Sequence, residues 1–204
     1  MTNLILVRHL PTNMAGRFCG QSDPELNEQG RSQIPCLLNT LSEYPIQRVY
    51  SSDLRRAQQT AKAIATHFEA ELHLRPGLRE IDFGLWEGLS WSAIKSRDQS
   101  AAKRWADAYP NSTAPGGESV EQFQSRVREE IVFLMEQSAN SSTAAVTHAG
   151  LMRLALTMYG VREPEAWNRT RDYGSIVVLD VNRIDASADE FAGKRGLKRF
   201  YKEF

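Results

Sequence analysis

The sequence predicts an α/β protein: a three-layer α/β/α sandwich with a mostly parallel sheet and a small helical lid insertion. Three observations carry this expectation. Short unbroken apolar runs mark strands covered on both faces. Between them, apolar residues recur at helical spacing. The two patterns alternate along the chain, as they do when helices cross over between parallel strands. With 204 residues, the chain is long enough to bury a substantial core as a single domain, 1–204.

The elements follow in order. Leu4, Ile5, Leu6 and Val7 form a buried strand that stops at Arg8 and His9. Ile34, Leu37, Leu38 and Leu41 keep helical spacing, and a short strand near Val49 and Tyr50 comes next. A helix then carries Ala57, Ala61, Ile64, Ala65 and Phe68 on one face. "ELHLRP" alternates apolar and polar residues like a strand and ends at Pro76. From about residue 85 to 117 the alternation fails: this stretch holds Trp86, Trp91 and Trp105 and runs into the loop-like "YPNSTAPGG". We expect a helical insertion there, forming a lid over the strand edge where open α/β sheets bind ligands. Ser119 and Gln122 have capping-box spacing ahead of Phe123, Val127, Ile131 and Leu134. "TAAVTH" (143–148) is a further buried strand, followed by a helix with Leu151, Leu154, Ala155 and Met158 that Gly160 closes. "SIVVLDV" (175–181) completes the sheet, and the tail after Asn182, with Gly193 and Gly196 amid charges, has no defined pattern.

Composition narrows the classes of partner. Basic and acidic residues balance at 25 each, so no bulk attraction to nucleic acid or an anionic membrane is expected, and any positive site must be built locally. Cys19 and Cys36 make no disulfide framework and have no zinc-ligand spacing, the pattern of reduced thiols in a cytoplasmic protein. The first apolar run is cut short by Arg8 and no stretch is long enough to span a bilayer, so a soluble chain is expected.

The chemistry gathers at strand ends. Two apolar strands finish in histidine, "LILVRH" at His9 and "AAVTH" at His148. If those strands are neighbours, both imidazoles face one crevice. His67 and His73 lack this context and are read as structural, His67 at a helix C-terminus and His73 at a polar strand position. Arg8 adjoins His9, and "SSDLRRAQQTA" opens a helix with Arg55 and Arg56. A guanidinium offers a planar fork of donors that suits a phosphate, and a helix N-terminus adds backbone N–H groups. The face defined by Ala57 and Ala61 does not decide which of the two arginines points inward. Glu80, Asp82 and Glu87, in "LREIDFGLWEG", fall at the mouth of the expected lid. They are either ion-pair partners for the arginines or include a proton donor for a departing alkoxide.

These residues resemble the histidine phosphatase superfamily, also called phosphoglycerate-mutase-like. The resemblance runs from about Leu4 to Leu179 and rests on "VRHLPT", "SSDLRRAQQTA", "LREIDFGLWEG", "GGESVEQFQSRV" and "VTHAG" in the family's order. It implies His9 as nucleophile, forming a phosphohistidine, and Glu80 as the acid. It further implies Arg8, Arg56 and His148 around the phosphoryl oxygens as cations, with neither metal nor cofactor. Thr12 keeps the family's threonine, but Leu10 and Pro11 replace its usual glycine and acidic residue. Ala15 stands where the family has asparagine, and Asn13 is the candidate to replace that phosphate contact. "RHLPT", with Trp105, Asp107, Pro110 and "GGES", is similar to the α-ribazole phosphatase branch of cobamide synthesis. The expected function is therefore hydrolysis of a small phosphorylated metabolite, with α-ribazole 5′-phosphate the leading candidate. A phosphoglycerate mutase, a broad sugar-phosphate phosphatase and a non-catalytic phospholigand-binding domain are the alternatives. Oligomeric state is not legible.

Overall fold

The computed structural model describes residues 3–181; the C-terminal part of the expected domain, with Gly193 and Gly196, lies outside the described residues. Five strands form one sheet: β1 (Asn3–Arg8), β2 (Ile46–Ser51), β3 (Glu71–Leu74), β4 (Ser142–Thr147) and β5 (Ile176–Asp180), in the order β3-β2-β4-β1-β5. All neighbouring pairs are parallel except β5, which runs antiparallel beside β1. The connections are helical: α1 (Glu28–Ser32), α2 (Ile34–Leu41) and α3 (Arg55–His67) precede β3, then α4 (Trp91–Arg97), α5 (Gln99–Ala108) and α6 (Val120–Gln137). α7 (Ala149–Met158) and α8 (Glu163–Thr170) lead into β5.

The unbroken apolar run of β1 is explained by its surroundings. Leu4 and Leu6 enter a core with Val127, Ile131 and Leu134 of α6 and Leu151, Met152 and Ala155 of α7. The intervening Ile5 and Val7 join Leu37 and Leu41 of α2 and Ala57, Ala61 and Ile64 of α3 on the other side. Alternate residues thus feed opposite cores, so neither face of the strand tolerates a polar side chain. Each buried aliphatic chain contributes about 1.5–3 kcal/mol, which makes β1 a rigid mount.

Several boundaries have local causes visible in the sequence. Ser119 Oγ accepts from the Gln122 N–H (3.1 Å) while the Gln122 side chain accepts from the Ser119 N–H (2.9 Å), the capping box that starts α6. Gly160, at φ +76°, takes the left-handed position just beyond α7. Two helices have no counterpart in the periodicity. α1 is too short to show a period and is set by Asn27, whose side chain accepts from the Gly30 N–H. α8 is signalled only by Pro164 and the first-turn Glu163 and Glu165.

The insertion is helical as expected, with α4 and α5 carrying their own small core. Trp86, Ile94, Ala101, Ala102, Trp105 and Ala114 are buried together. Phe18, from the loop after β1, is its hub, meeting Phe83 (4.9 Å between centroids), Trp86 (5.7 Å) and Trp105 (5.7 Å) edge-on.

Candidate active site

The sheet order brings the two strand-end histidines together. Arg8 is in register with Thr147 across the β1–β4 pair, so the next residues, His9 and His148, leave the same edge side by side. His9 N–H donates to the Thr147 carbonyl (3.0 Å), and the two rings stand 5.0 Å apart, tilted by 60°. The chain runs from β1 toward β2 on one side and from β4 toward β5 on the other. The pair therefore sits where the winding reverses, at the C-terminal strand ends.

Two independent contacts fix the His9 tautomer. Nδ1 lies 2.8 Å from the Leu10 carbonyl, which only accepts, so Nδ1 carries the proton. Nε2 receives the Arg56 Nε–H (3.3 Å), and a guanidinium only donates. Nε2 therefore holds its lone pair. His148 is fixed by Ser52: its hydroxyl lies 3.0 Å from His148 Nε2 and already accepts from the Leu54 N–H (3.3 Å). The Ser52 proton has no other acceptor among the contacts of the described residues, so it points at Nε2 and the imidazole proton stays on Nδ1. Burial, with the Arg56 charge next and Arg8 also acting, holds both imidazoles well below the usual imidazole range; for His9 the Leu10 contact opposes the shift. Burial and the nearby guanidinium groups therefore favour the neutral His148 ring while no phosphate is bound.

The arginine ambiguity resolves clearly. Arg56 is fully buried, whereas Arg55 is exposed and ion-paired with Glu25. The Arg56 guanidinium donates to the carbonyls of Cys19 (3.1 Å), Gly20 (2.8 Å) and Ser22 as well as to His9. Arg8 lies over the Tyr173 ring (4.1 Å) and donates to the carbonyls of Thr170 (3.1 Å) and Arg171. Two buried nitrogens at this edge, Arg8 Nε and His148 Nδ1, have no hydrogen-bond partner among the described residues.

Glu80 is buried opposite them. Its two oxygens accept from the Ile81 N–H (3.0 Å) and the Gly150 N–H (2.9 Å), the latter in the first turn of α7. A Cβ on Gly150 would come within 2.3 Å of Glu80 Oε1, so a glycine is what lets the carboxylate reach the helix. Arg126 holds the preceding segment by donating to the carbonyls of Gly77 (2.8 Å) and Arg79 (2.9 Å) while paired with Glu118 (2.6 Å). This gives physical content to "GGESVEQFQSRV", which carries both Glu118 and Arg126. Asp82 caps a turn, accepting from the Gly84 N–H (2.7 Å).

A cavity of about 690 Å³ is lined at its base by Arg8, His9, Thr12 and Glu80, while Arg56 and His148 are buried and do not line it. Phe18, Phe83, Trp91, Trp105 and Tyr109 form its flap side, and Arg153, Glu163, Trp167, Arg171 and Tyr173 its α7–α8 side. Of the candidate phosphate contacts, Thr12 is buried at the cavity, its hydroxyl accepting from the Met14 N–H (3.1 Å). Asn13 is not brought in; it is exposed and outside the cavity lining. Leu10 is buried in the α2–α3 core, so the departure from glycine is a packing substitution. His67 ends α3 near Ser42, and His73 stacks on Tyr50 and pairs with Glu71, both remote from the cavity. The sequence reading missed Ser52, Arg153 and Tyr173. Ser52 follows β2 in a familiar motif and was findable; the other two depend on where α7 and α8 lie. Among the described residues no group of three or more His, Cys, Asp or Glu side chains is placed to hold a metal ion, and no helix is long and apolar enough to cross a membrane.

The fold and this constellation define a phosphatase. More particularly, the chain belongs to the histidine phosphatase superfamily (branch 1), whose match covers residues 4–192. It is 30% identical over 182 residues to phosphoserine phosphatase 1 of Hydrogenobacter thermophilus, spanning 88% of this chain and 86% of that one. It is 31% identical over 181 residues to adenosylcobalamin/alpha-ribazole phosphatase of Salmonella typhimurium, spanning 87% and 90%. Among solved structures, the alpha-ribazole phosphatase from Shigella flexneri superposes with a TM-score of 0.78 at 26% identity, covering 89% of this chain and 91% of that one.

Proposed function

We propose that the chain hydrolyses a small phosphomonoester through a phosphohistidine on His9, with α-ribazole 5′-phosphate as the substrate. The observation that carries the reading is the convergence of His9 and His148, rings 5.0 Å apart, on the strand edge that also holds two buried nitrogens without a hydrogen-bond partner among the described residues, Arg8 Nε and His148 Nδ1. Each unsatisfied donor costs about 1–3 kcal/mol, and two oxygens of one phosphoryl group would satisfy both. In the first step the His9 Nε2 lone pair forms the N–P bond as the ester P–O bond breaks, and Glu80 gives its proton to the departing oxygen. In the second, water gives a proton to the Glu80 carboxylate and attacks phosphorus, the N–P bond breaks, and orthophosphate leaves. Arg8 and Arg56 supply fixed positive charge; once a phosphate dianion sits against the neutral His148, its Nδ1–H donates to it.

The aromatic flap side of the cavity supports a planar base in the leaving group, in line with the likeness to the Salmonella and Shigella proteins. A second reading, a phosphoserine-like substrate, is favoured by Arg153, Glu163 and Arg171 on the α7–α8 side, which suit a zwitterion. Comparing kcat/KM for α-ribazole 5′-phosphate, phosphoserine and 3-phosphoglycerate separates them. The first reading expects α-ribazole 5′-phosphate to lead by at least about tenfold, and a phosphoserine preference of that size would replace it. Release of all label as orthophosphate, with none passed to a second acceptor, separates hydrolase from mutase.

A further inference from the structure

The Glu87 carboxylate is the most heavily bonded acid near the site, yet no step above uses it. Its oxygens accept from the backbone N–H groups of Gly20 (3.0 Å), Gln21 (2.9 Å), Ser22 (3.0 Å) and Phe83 (3.1 Å), and from the Ser22 hydroxyl (2.5 Å). The same loop turns its carbonyls the other way: those of Cys19, Gly20 and Ser22 accept from Arg56. Residues 19–22 are thus a layer of peptide dipoles, with an anion against the N–H side and a cation against the C=O side. Such an arrangement polarises and stiffens itself. No side chain fits at position 20, since a Cβ on Gly20 would lie 2.0 Å from the Ile81 carbonyl oxygen and 2.5 Å from Glu87 Oε1. Beyond the layer, Arg56 Nε–H reaches His9 Nε2 at 3.3 Å.

We infer that Glu87 is a positioning residue for phosphoryl transfer, acting through loop 19–22 to hold Arg56 against the His9 ring. The inference rests on the roles proposed above for Arg56 and His9. Burial works to raise the Glu87 pKa, but the Ser22 hydroxyl and the Gln21, Ser22 and Phe83 N–H groups outweigh it and leave it lowered. The group therefore stays a carboxylate, as the layer requires. Glu87 also ties together two segments of the cavity's flap side: Phe83, whose N–H it accepts from, begins the flap turn, and Phe18 lies just before Cys19 in the loop it holds. A change at residue 87 should consequently be felt at the nucleophile, although its carboxylate touches no substrate.

The test is a double-mutant cycle on full-length enzyme with p-nitrophenyl phosphate, using Glu87→Gln, Arg56→Ala and the pair. Glu87→Gln alone should lower kcat by roughly tenfold or more, the scale of an outer-layer partner. It should also move the His9 Nε2 resonance in nitrogen-15 spectra. In the Arg56→Ala background it should add less than about twofold, because the residue it acts through is gone. Full additivity, or an unmoved His9 resonance with kcat intact, overturns the inference. If Arg56→Ala itself leaves kcat unchanged, the failure lies instead in the role given to Arg56. Should Glu87→Gln not fold, Ser22→Ala removes one contact to the carboxylate. It should show a smaller loss with the same dependence on Arg56, and independence from Arg56 again overturns the inference.

Discussion

At His9, the proposed nucleophile, burial is compatible with an available lone pair because its proton is placed by geometry. One nitrogen is committed to a main-chain carbonyl, so the other presents a lone pair, and burial, aided by the neighbouring guanidinium groups, favours the neutral ring. The sign follows directly: a pKa lowered in the folded state keeps imidazole unprotonated above that value, so the nucleophilic form persists below the ordinary 6.5 or so. Long-range proton–nitrogen spectra of the phosphate-free protein at about pH 6.5 should show His9 and His148 as neutral Nδ1–H tautomers. A protonated His9 at that pH would contradict the site electrostatics. Glu80 gives a second prediction at this scale. Glu80→Gln should lower kcat/KM for alkyl phosphates by about 10²–10⁴-fold, yet cost p-nitrophenyl phosphate far less, since nitrophenolate leaves without a proton. Equal losses would reduce Glu80 to a structural role.

At the scale of elements, the site is a set of termini. β1 and β4 deliver the histidines, the first turn of α3 delivers Arg56, and the first turn of α7 receives Glu80. Gly150→Ala tests the last contact. Its added methyl group would press on the movable end of Glu80 while suiting a helix better than glycine does. The expected result is an unfolding midpoint at or above that of the parent with a selective loss on alkyl phosphates like that of Glu80→Gln; unchanged kinetics would show that the α7 contact does not place the acid. Much of this was legible in the sequence, because apolar runs ending in histidine, the capping box at Ser119 and the Gly160 cap are local signals. The choice between Arg55 and Arg56 was not, since alanines at 57 and 61 leave the inward face broad. Nor was the exposure of Asn13, because a loop has no period from which to read side-chain direction.

Across the whole molecule, one sheet carries the proposed phosphate end of the cavity and a separately packed aromatic flap carries the other. The flap core shares none of its buried residues with the two cores on the sheet faces, so damage to it should leave the phosphate end intact. Trp105→Ala, a truncation of the kind that costs about 3–5 kcal/mol in a well-packed cluster, should raise KM for the preferred metabolite while orthovanadate inhibition stays within about twofold. A matching loss of vanadate affinity would show that flap and phosphate site form one cooperative unit. The central claim concerns His9 itself, and the most direct measurement is chemical. Enzyme mixed rapidly with a labelled phosphomonoester and quenched in alkali should yield an acid-labile label, mapped by peptide sequencing to His9 and absent from His9→Ala. A label on Cys19 or any other residue, or steady turnover by His9→Ala, would contradict it.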